Sequence, residues 1–173
     1  KVDLSSWPFP FVLKSRRGGY DGHGVMVVRG QEDLCAAFQG PCLVESMADI
    51  RKELSVIVAR NTQGDCKAFP VVEMDFDAEA NLVSALISPA DIPEDIANQA
   101  TDIALRLIKK LGMVGILAVE FFWLKDGNLW VNEVAPRPHN SGHQTIEGNR
   151  TSQYQQHLLA ISGGELGDTE ALG

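Results

Sequence analysis

At 173 residues, with 45% hydrophobic and 22% charged side chains, the chain has globular composition and can fill one sizeable core or two small lobes. Its net charge of −8 argues against nucleic acid or an anionic membrane as the main partner, because both select basic surfaces. No apolar run approaches the roughly 18 residues that span a bilayer, so no membrane partner is expected. Cys35, Cys42 and Cys66 lack metal-ligand spacing and predict reduced, partly buried thiols in a cytoplasmic protein. Lys1 has no preceding methionine, and the tail 163–173 is glycine-rich, acidic and without hydrophobic pattern. Both features read as a segment of a longer protein.

Residues 11–15 and 25–28 predict a strand hairpin whose tip is the glycine-rich stretch 16–24. Residues 31–38 have helical composition, with Leu34, Ala37 and Phe38 on one face. Strands follow at 42–45, 54–59, 66–72 and 82–87, joined by polar turns in an antiparallel pattern. The helix over 94–111 is the clearest element: Ile96, Ala100, Ile103, Ala104, Leu107, Ile108 and Leu111 form one stripe. Acids stand early and Lys109 and Lys110 late, as the helix dipole favours. Residues 115–124 and 128–134 predict a hairpin about Asp126-Gly127, and 153–161 a final helix. Strands with helices inserted between them give an α+β class, in two lobes that meet near Glu45.

The second hairpin carries a chemical consequence. A two-residue Asp126-Gly127 turn sets Lys125 against Asn128, and counting back along both strands sets Glu120 against Glu133. Directly opposed Cβ atoms lie about 4.5–5.5 Å apart, where two like charges repel unless a cation lies between them or one carboxyl is protonated. Hard carboxylate oxygens at that spacing suit Mg2+, which takes one or two carboxylates plus substrate phosphates. A protonated or solvated pair is the alternative, as is a structural Ca2+ site. Strict alternation turns Asn132 to the opposite face, from which it reaches the same metal only through a bulge or its backbone.

Glu133 opens the run E-V-A-P-R-P-H-N-S-G-H at 133–143. Pro136 and Pro138 hold the backbone extended around Arg137, so the run reads as a rigid loop presenting charged and hydrogen-bonding groups. The stretch 16–24 lets backbone N–H groups approach phosphate oxygens, with Lys14 on the preceding strand. It is neither a Walker A loop nor a dinucleotide fingerprint, because the lysine precedes the glycines and a strand follows them. Glu45 ends an apolar strand and Glu53 lies eight residues on; spacing alone reads them as solvated charges or as acceptors for a ribose or an adenine amine.

Together G-G-Y-D-G-H-G at 18–24 and N-E-V-A-P-R-P-H-N-S-G-H at 132–143 resemble the ATP-grasp superfamily, and within it the N5-carboxyaminoimidazole ribonucleotide synthetases of purine biosynthesis. The resemblance covers most of the chain. It implies two lobes of mainly antiparallel sheet with packed helices, a small one over 1–44 holding the phosphate loop and a large one over 45–173 holding the Mg/ATP site. It also implies a ligase that uses ATP and Mg2+ to carboxylate 5-aminoimidazole ribonucleotide with bicarbonate, through carboxyphosphate, in a homodimeric parent enzyme.

On this resemblance Lys14 holds nucleotide phosphates, and Gly19, Tyr20, Gly22, His23 and Gly24 close over them. Glu45, Ser46, Met47 and Ala48 recognise adenine, and Glu53 the ribose. Glu120 and Glu133 bind Mg2+, with Asn132 beside the nucleotide, and Arg137 neutralises charge on the transferred phosphoryl group. Tyr20, Asp21, His23, His139, Asn140 and Ser141 face bicarbonate or the ribonucleotide, with Asp21 handling the proton at the amine. Ala135 stands where many relatives carry a metal-binding asparagine.

The family also has an N-terminal domain and a C-terminal segment without counterpart here, so the chain alone is expected to bind ATP weakly and turn over poorly. The alternatives are a formate-dependent glycinamide ribonucleotide transformylase, which would want a serine-rich phosphate loop, a nucleotide-binding module without turnover, and an acidic interaction module without a ligand.

Overall fold

The computed structural model describes residues 4–18, 23–37, 40–77 and 82–172. They fall into two compact units, Lys1–Asp49 with Asp77–Leu82, and Ile50–Phe76 with Val83–Gly173. The class is α+β, with antiparallel sheets and packed helices.

In the first unit, β1 (Phe11–Ser15) lies between β2 (Val25–Val28) and β3 (Cys42–Ser46). Alternation sends Phe11, Leu13 and Val28 to one face, where they form a core with Trp7, Phe9, Met26 and Val44 around it. The other face carries Lys14. The segment expected as a helix over 31–38 is a 3-10 helix, Gln31–Ala36, because the chain turns extended at Ala37 (φ −59°, ψ 147°). Leu34 and Ala37 still pack on the core. Phe38 lies outside the described residues.

The second unit is built on a six-stranded sheet in the order β7-β6-β4-β8-β9, with β5 also pairing to β4. These strands are β4 (Ile50–Arg60), β5 (Cys66–Ala68), β6 (Val72–Asp77), β7 (Leu82–Ile87), β8 (Gly115–Leu124) and β9 (Leu129–Ala135). The single strand expected over 66–72 is thus two. Pro70 has no N–H for a ladder, so the chain breaks there before β6 begins.

One face of the sheet, with Leu54, Val56, Val58, Leu117, Val119 and Phe121, is covered by α1 (Glu94–Lys110). Ile96, Ala100, Ala104 and Ile108, each four residues from the next, are its buried line, and Ile103 and Leu107 pack beside them. Leu111 is 61% exposed because the helix has ended before it. The opposite face puts Ile57, Ala59, Ile116, Ala118 and Ala135 into a second core with Phe69, Leu166 and Ala160 of α3 (Gln153–Ser162). A reciprocal box between Ser152 and Gln155 caps α3, and a single-turn α2 (Thr145–Gly148) precedes it.

The three cysteines are free, Cys35 exposed and Cys42 and Cys66 half-buried. Among the described residues no helix is long and apolar enough to cross a membrane. Ile108 is fully buried between α1 and the sheet, so Ile108→Ala should cost about 2–5 kcal/mol in urea unfolding. A loss well under about 1 kcal/mol would mean that α1 does not carry this core.

Candidate functional site

The sheet face beneath α3 changes character along its length. Beyond the apolar core, the same side of β4 and β8 carries Glu53, Ser55 and Glu120, with Ser55 directly opposite Glu120. On the far side of β8, Glu120 is opposite Glu133, as the sequence expects.

The route to that register differs from the expected one. Leu124, not Lys125, pairs with Asn128: its N–H donates to the Asn128 carbonyl at 2.9 Å, around a three-residue loop. Gly127 takes the left-handed position (φ 90°) that such a loop requires. The one-residue offset this creates runs through Phe121↔Val131 and is removed before Glu120↔Glu133, where a bulge accommodates Asn132. The same bulge frees Asn132 from strict alternation, and its side-chain amide donates a hydrogen bond to Glu120.

Glu120 is 16% exposed, whereas Glu133 is exposed. Burial, then the Glu133 and Glu53 carboxylates, push the Glu120 carboxyl up to about 7, against opposing pulls from Asn132 and Arg137. Burial also raises Glu53. This end of the sheet is therefore short of positive charge. Among the described residues no three His, Cys, Asp or Glu side chains converge to cage a metal by themselves. Two carboxylates and an amide fit a hard divalent cation that completes its shell with water or phosphate oxygens.

The loop after β9 brings two further groups to the acids. Arg137 is exposed and its Nη1 donates to the Pro138 carbonyl at 3.0 Å. His139 Nε2 lies 3.3 Å from Glu120 Oε1. Burial, with Arg137 and His143 adding positive charge, holds the His139 imidazole below its usual range, so at neutral pH this is contact with a neutral ring and not an ion pair. Asn140 is exposed, but Ser141 is 1% exposed, its hydroxyl facing Ser55 and His139.

In the first unit Lys14 and Glu45 share the face opposite the core, and Lys14 Nζ lies 2.9 Å from Glu45 Oε2. Ser46 and Met47 are exposed and Ala48 half-buried where the chain leaves β3. His23 is exposed, and the Gly24 carbonyl accepts from the Ser15 N–H at 2.7 Å, closing the hairpin. Gly19, Tyr20, Asp21 and Gly22 lie outside the described residues.

Against known families, the ATP-grasp domain matches residues 3–154. The chain belongs to the ATP-grasp family. Among its relatives, the N5-carboxyaminoimidazole ribonucleotide synthases of Mycobacterium bovis and Bacillus subtilis are 48% and 44% identical, each over 94% of this chain. The ATP-grasp chain spans only 39% and 43% of those two proteins. Among solved structures, the Thermotoga maritima synthetase superposes with a TM-score of 0.87 at 42% identity, covering 98% of this chain and 45% of that one. The Aspergillus clavatus synthase, solved with ADP and 5-aminoimidazole ribonucleotide, superposes with a TM-score of 0.82 at 30% identity, over 92% of this chain and 42% of that one.

Two buried polar side chains beside Glu120 and the His139 loop carry no motif: Ser55, inside an apolar strand, and Gln153, at the start of α3. Each is polar and 0% exposed, which only the folded chain reveals.

The Glu120 carboxyl also sets a pH dependence. Its pKa is raised from 4.5 to about 7, so the folded chain keeps a proton that the unfolded chain loses. The stability this group supports is present below about pH 4.5 and lost as pH rises through 7. Without divalent cations, the melting temperature should fall between these values, and Glu120→Gln should flatten the fall. Equal slopes for both proteins would refute the assignment.

Proposed function

We propose that this chain is the ATP- and Mg2+-binding portion of an N5-carboxyaminoimidazole ribonucleotide synthase. The parent enzyme joins bicarbonate to the exocyclic amine of 5-aminoimidazole ribonucleotide at the expense of ATP. The observation that carries this reading is the Glu120–Glu133 pair with Asn132 bulged toward it, a donor set deficient in positive charge. The similarity to synthases along nearly the whole chain supports the choice of substrates.

Glu120 and Glu133 would hold Mg2+, which when bound offsets the negative charge of the nucleotide phosphates. Lys14 binds phosphate oxygens, Glu45–Ala48 meet the adenine, and Glu53 accepts from the ribose. The γ-phosphoryl group passes to bicarbonate, giving ADP and carboxyphosphate, with Arg137 facing the charge that develops on the moving group. Carboxyphosphate then breaks to CO2 and phosphate, and the amine takes up the CO2 while losing a proton to Asp21. Tyr20, His23, His139 and Asn140 contact bicarbonate or the ribonucleotide. A cytoplasmic, homodimeric parent enzyme belongs to the same reading.

Titration calorimetry of the chain with ATP, with and without Mg2+, tests the first half. Glu133→Gln should weaken Mg-dependent affinity by more than the roughly 10–100-fold that loss of a supporting partner costs. Unchanged affinity would sink the metal assignment. In the full-length protein, Asp21→Asn should leave ATP affinity intact and lower ribonucleotide-stimulated phosphate release by about 10²–10⁴-fold. Nucleotide binding by the full-length protein without any such release would reduce the function to a binding module.

A further inference from the structure

We propose that Ser141, Ser55 and Gln153 are positioning residues that hold His139 as its Nε2–H tautomer, with Nε2 3.3 Å from Glu120 Oε1. His139 immediately precedes the 3-10 turn Asn140–Gly142, and its ring caps that turn. Two groups of one residue reach its Nδ1: the Ser141 backbone N–H, which donates at 3.4 Å, and the Ser141 hydroxyl at 3.0 Å. The backbone group can only donate, so Nδ1 must accept and the proton of the neutral ring sits on Nε2.

The hydroxyl chain behind the ring agrees with that direction. If Ser141 Oγ donates to Nδ1, it can accept from Ser55 Oγ, which lies 2.8 Å away. Both serines are out of water, at 0% and 1% exposure. The reverse direction would set the Nδ1–H against the Ser141 N–H with no solvent to absorb the mismatch. A buried unmatched donor biases such an equilibrium by about five- to a hundredfold. Ser55 stands on β4 opposite Glu120, so the support behind the ring and the acid in front of it come from adjacent strands.

Gln153 fixes the peptide of the same residue. Its Oε1 accepts from the His139 N–H at 2.9 Å and its Nε2 donates to the His139 carbonyl at 2.8 Å, so one amide side chain matches both backbone groups. Gln153 is itself fully buried, and its N–H donates to Thr145 Oγ1 at 2.8 Å. Gly142 completes the seat: a Cβ there would meet Ile57 Cδ1 and lie 2.7 Å from Gln153 Cδ. The first turn of α3, the His139 loop and β4 are therefore packed as one piece.

The consequence for turnover rests on the ligase reading; the tautomer does not. The test is the 15N spectrum of the histidine-labelled chain, with the His139 signals identified by their loss in His139→Gln. The wild-type ring should populate the Nε2–H form by at least about tenfold over the alternative. Ser141→Ala should cut that ratio by about tenfold, and Ser141→Cys, which keeps a weak donor, by less. Gln153→Glu, which sets a carboxylate against the His139 carbonyl, should speed exchange of the His139 amide by about tenfold or more. A dominant Nδ1–H form in the wild type overturns the inference. So does a ratio unchanged in whichever Ser141 variant retains its cooperative melt, or a Gln153→Glu chain with unaltered exchange.

In the full-length protein, Ser141→Ala should lower kcat/KM for the ribonucleotide and spare ATP affinity. A full-length wild type with no ribonucleotide-stimulated phosphate release would defeat the ligase reading alone and leave the tautomer result standing.

Discussion

Two carboxylates face each other across adjacent strands, and the polar end of the second unit is organised around that repulsion. Glu120 cannot move away, because β8 lies between β4 and β9 and most of its side chains are buried. A one-residue slip would turn Glu120 and Ala118 toward α1 and Val119 toward the acids. The register is therefore held by hydrophobic burial, and the charges must be accommodated where burial leaves them. The responses are visible around Glu120: a carboxyl that stays protonated to near neutral pH, an amide turned toward it by a bulge, a guanidinium nearby and a neutral imidazole in contact.

Burial and charge also divide one sheet face between stability and chemistry. Ile57, Ala59, Ile116 and Ala118 lie under α3, and Glu53, Ser55 and Glu120 continue the same lines beyond it. The alternation is uninterrupted; only the residue types change. The acids thereby gain a rigid platform, since β4 and β8 pair along nearly their full lengths. Groups presented on strands are held more precisely than groups on an unsupported loop, which matters where like charges repel.

The loop after β9 achieves comparable rigidity by a different means. It is too polar to be held by a hydrophobic core, and instead pairs buried groups around His139 through Gln153, Thr145, Ser55 and Ser141, while Gln144 Oε1 stays buried without a hydrogen bond. Polar networks of this kind specify a single arrangement when every member is paired. Arg137 and Asn140 lie on the exposed side of the same loop.

Much of this was legible in the residues. The stripe of α1 follows from spacing, because burial recurs every three or four residues whatever the helix packs against. The acid pair followed from counting, although the counting contained two errors that cancel: a three-residue loop in place of a two-residue turn, and the bulge at Asn132. Both depend on where the backbone departs from ideal pairing, which residue types alone do not settle. Pro70 marked the break that separates two strands read as one.

The fold class, the family and the groups that gather at the acids are legible in the residues alone, since these rest on periodicity, turn chemistry and motifs local in the chain. How those groups are held depends on contacts between distant parts of the chain. Ser55 meets Ser141 across 86 positions and Gln153 meets His139 across 14, and a serine in an apolar strand or a glutamine at a helix start announces no partner. Their role comes from burial beside a particular neighbour, and burial is a property of the packed chain.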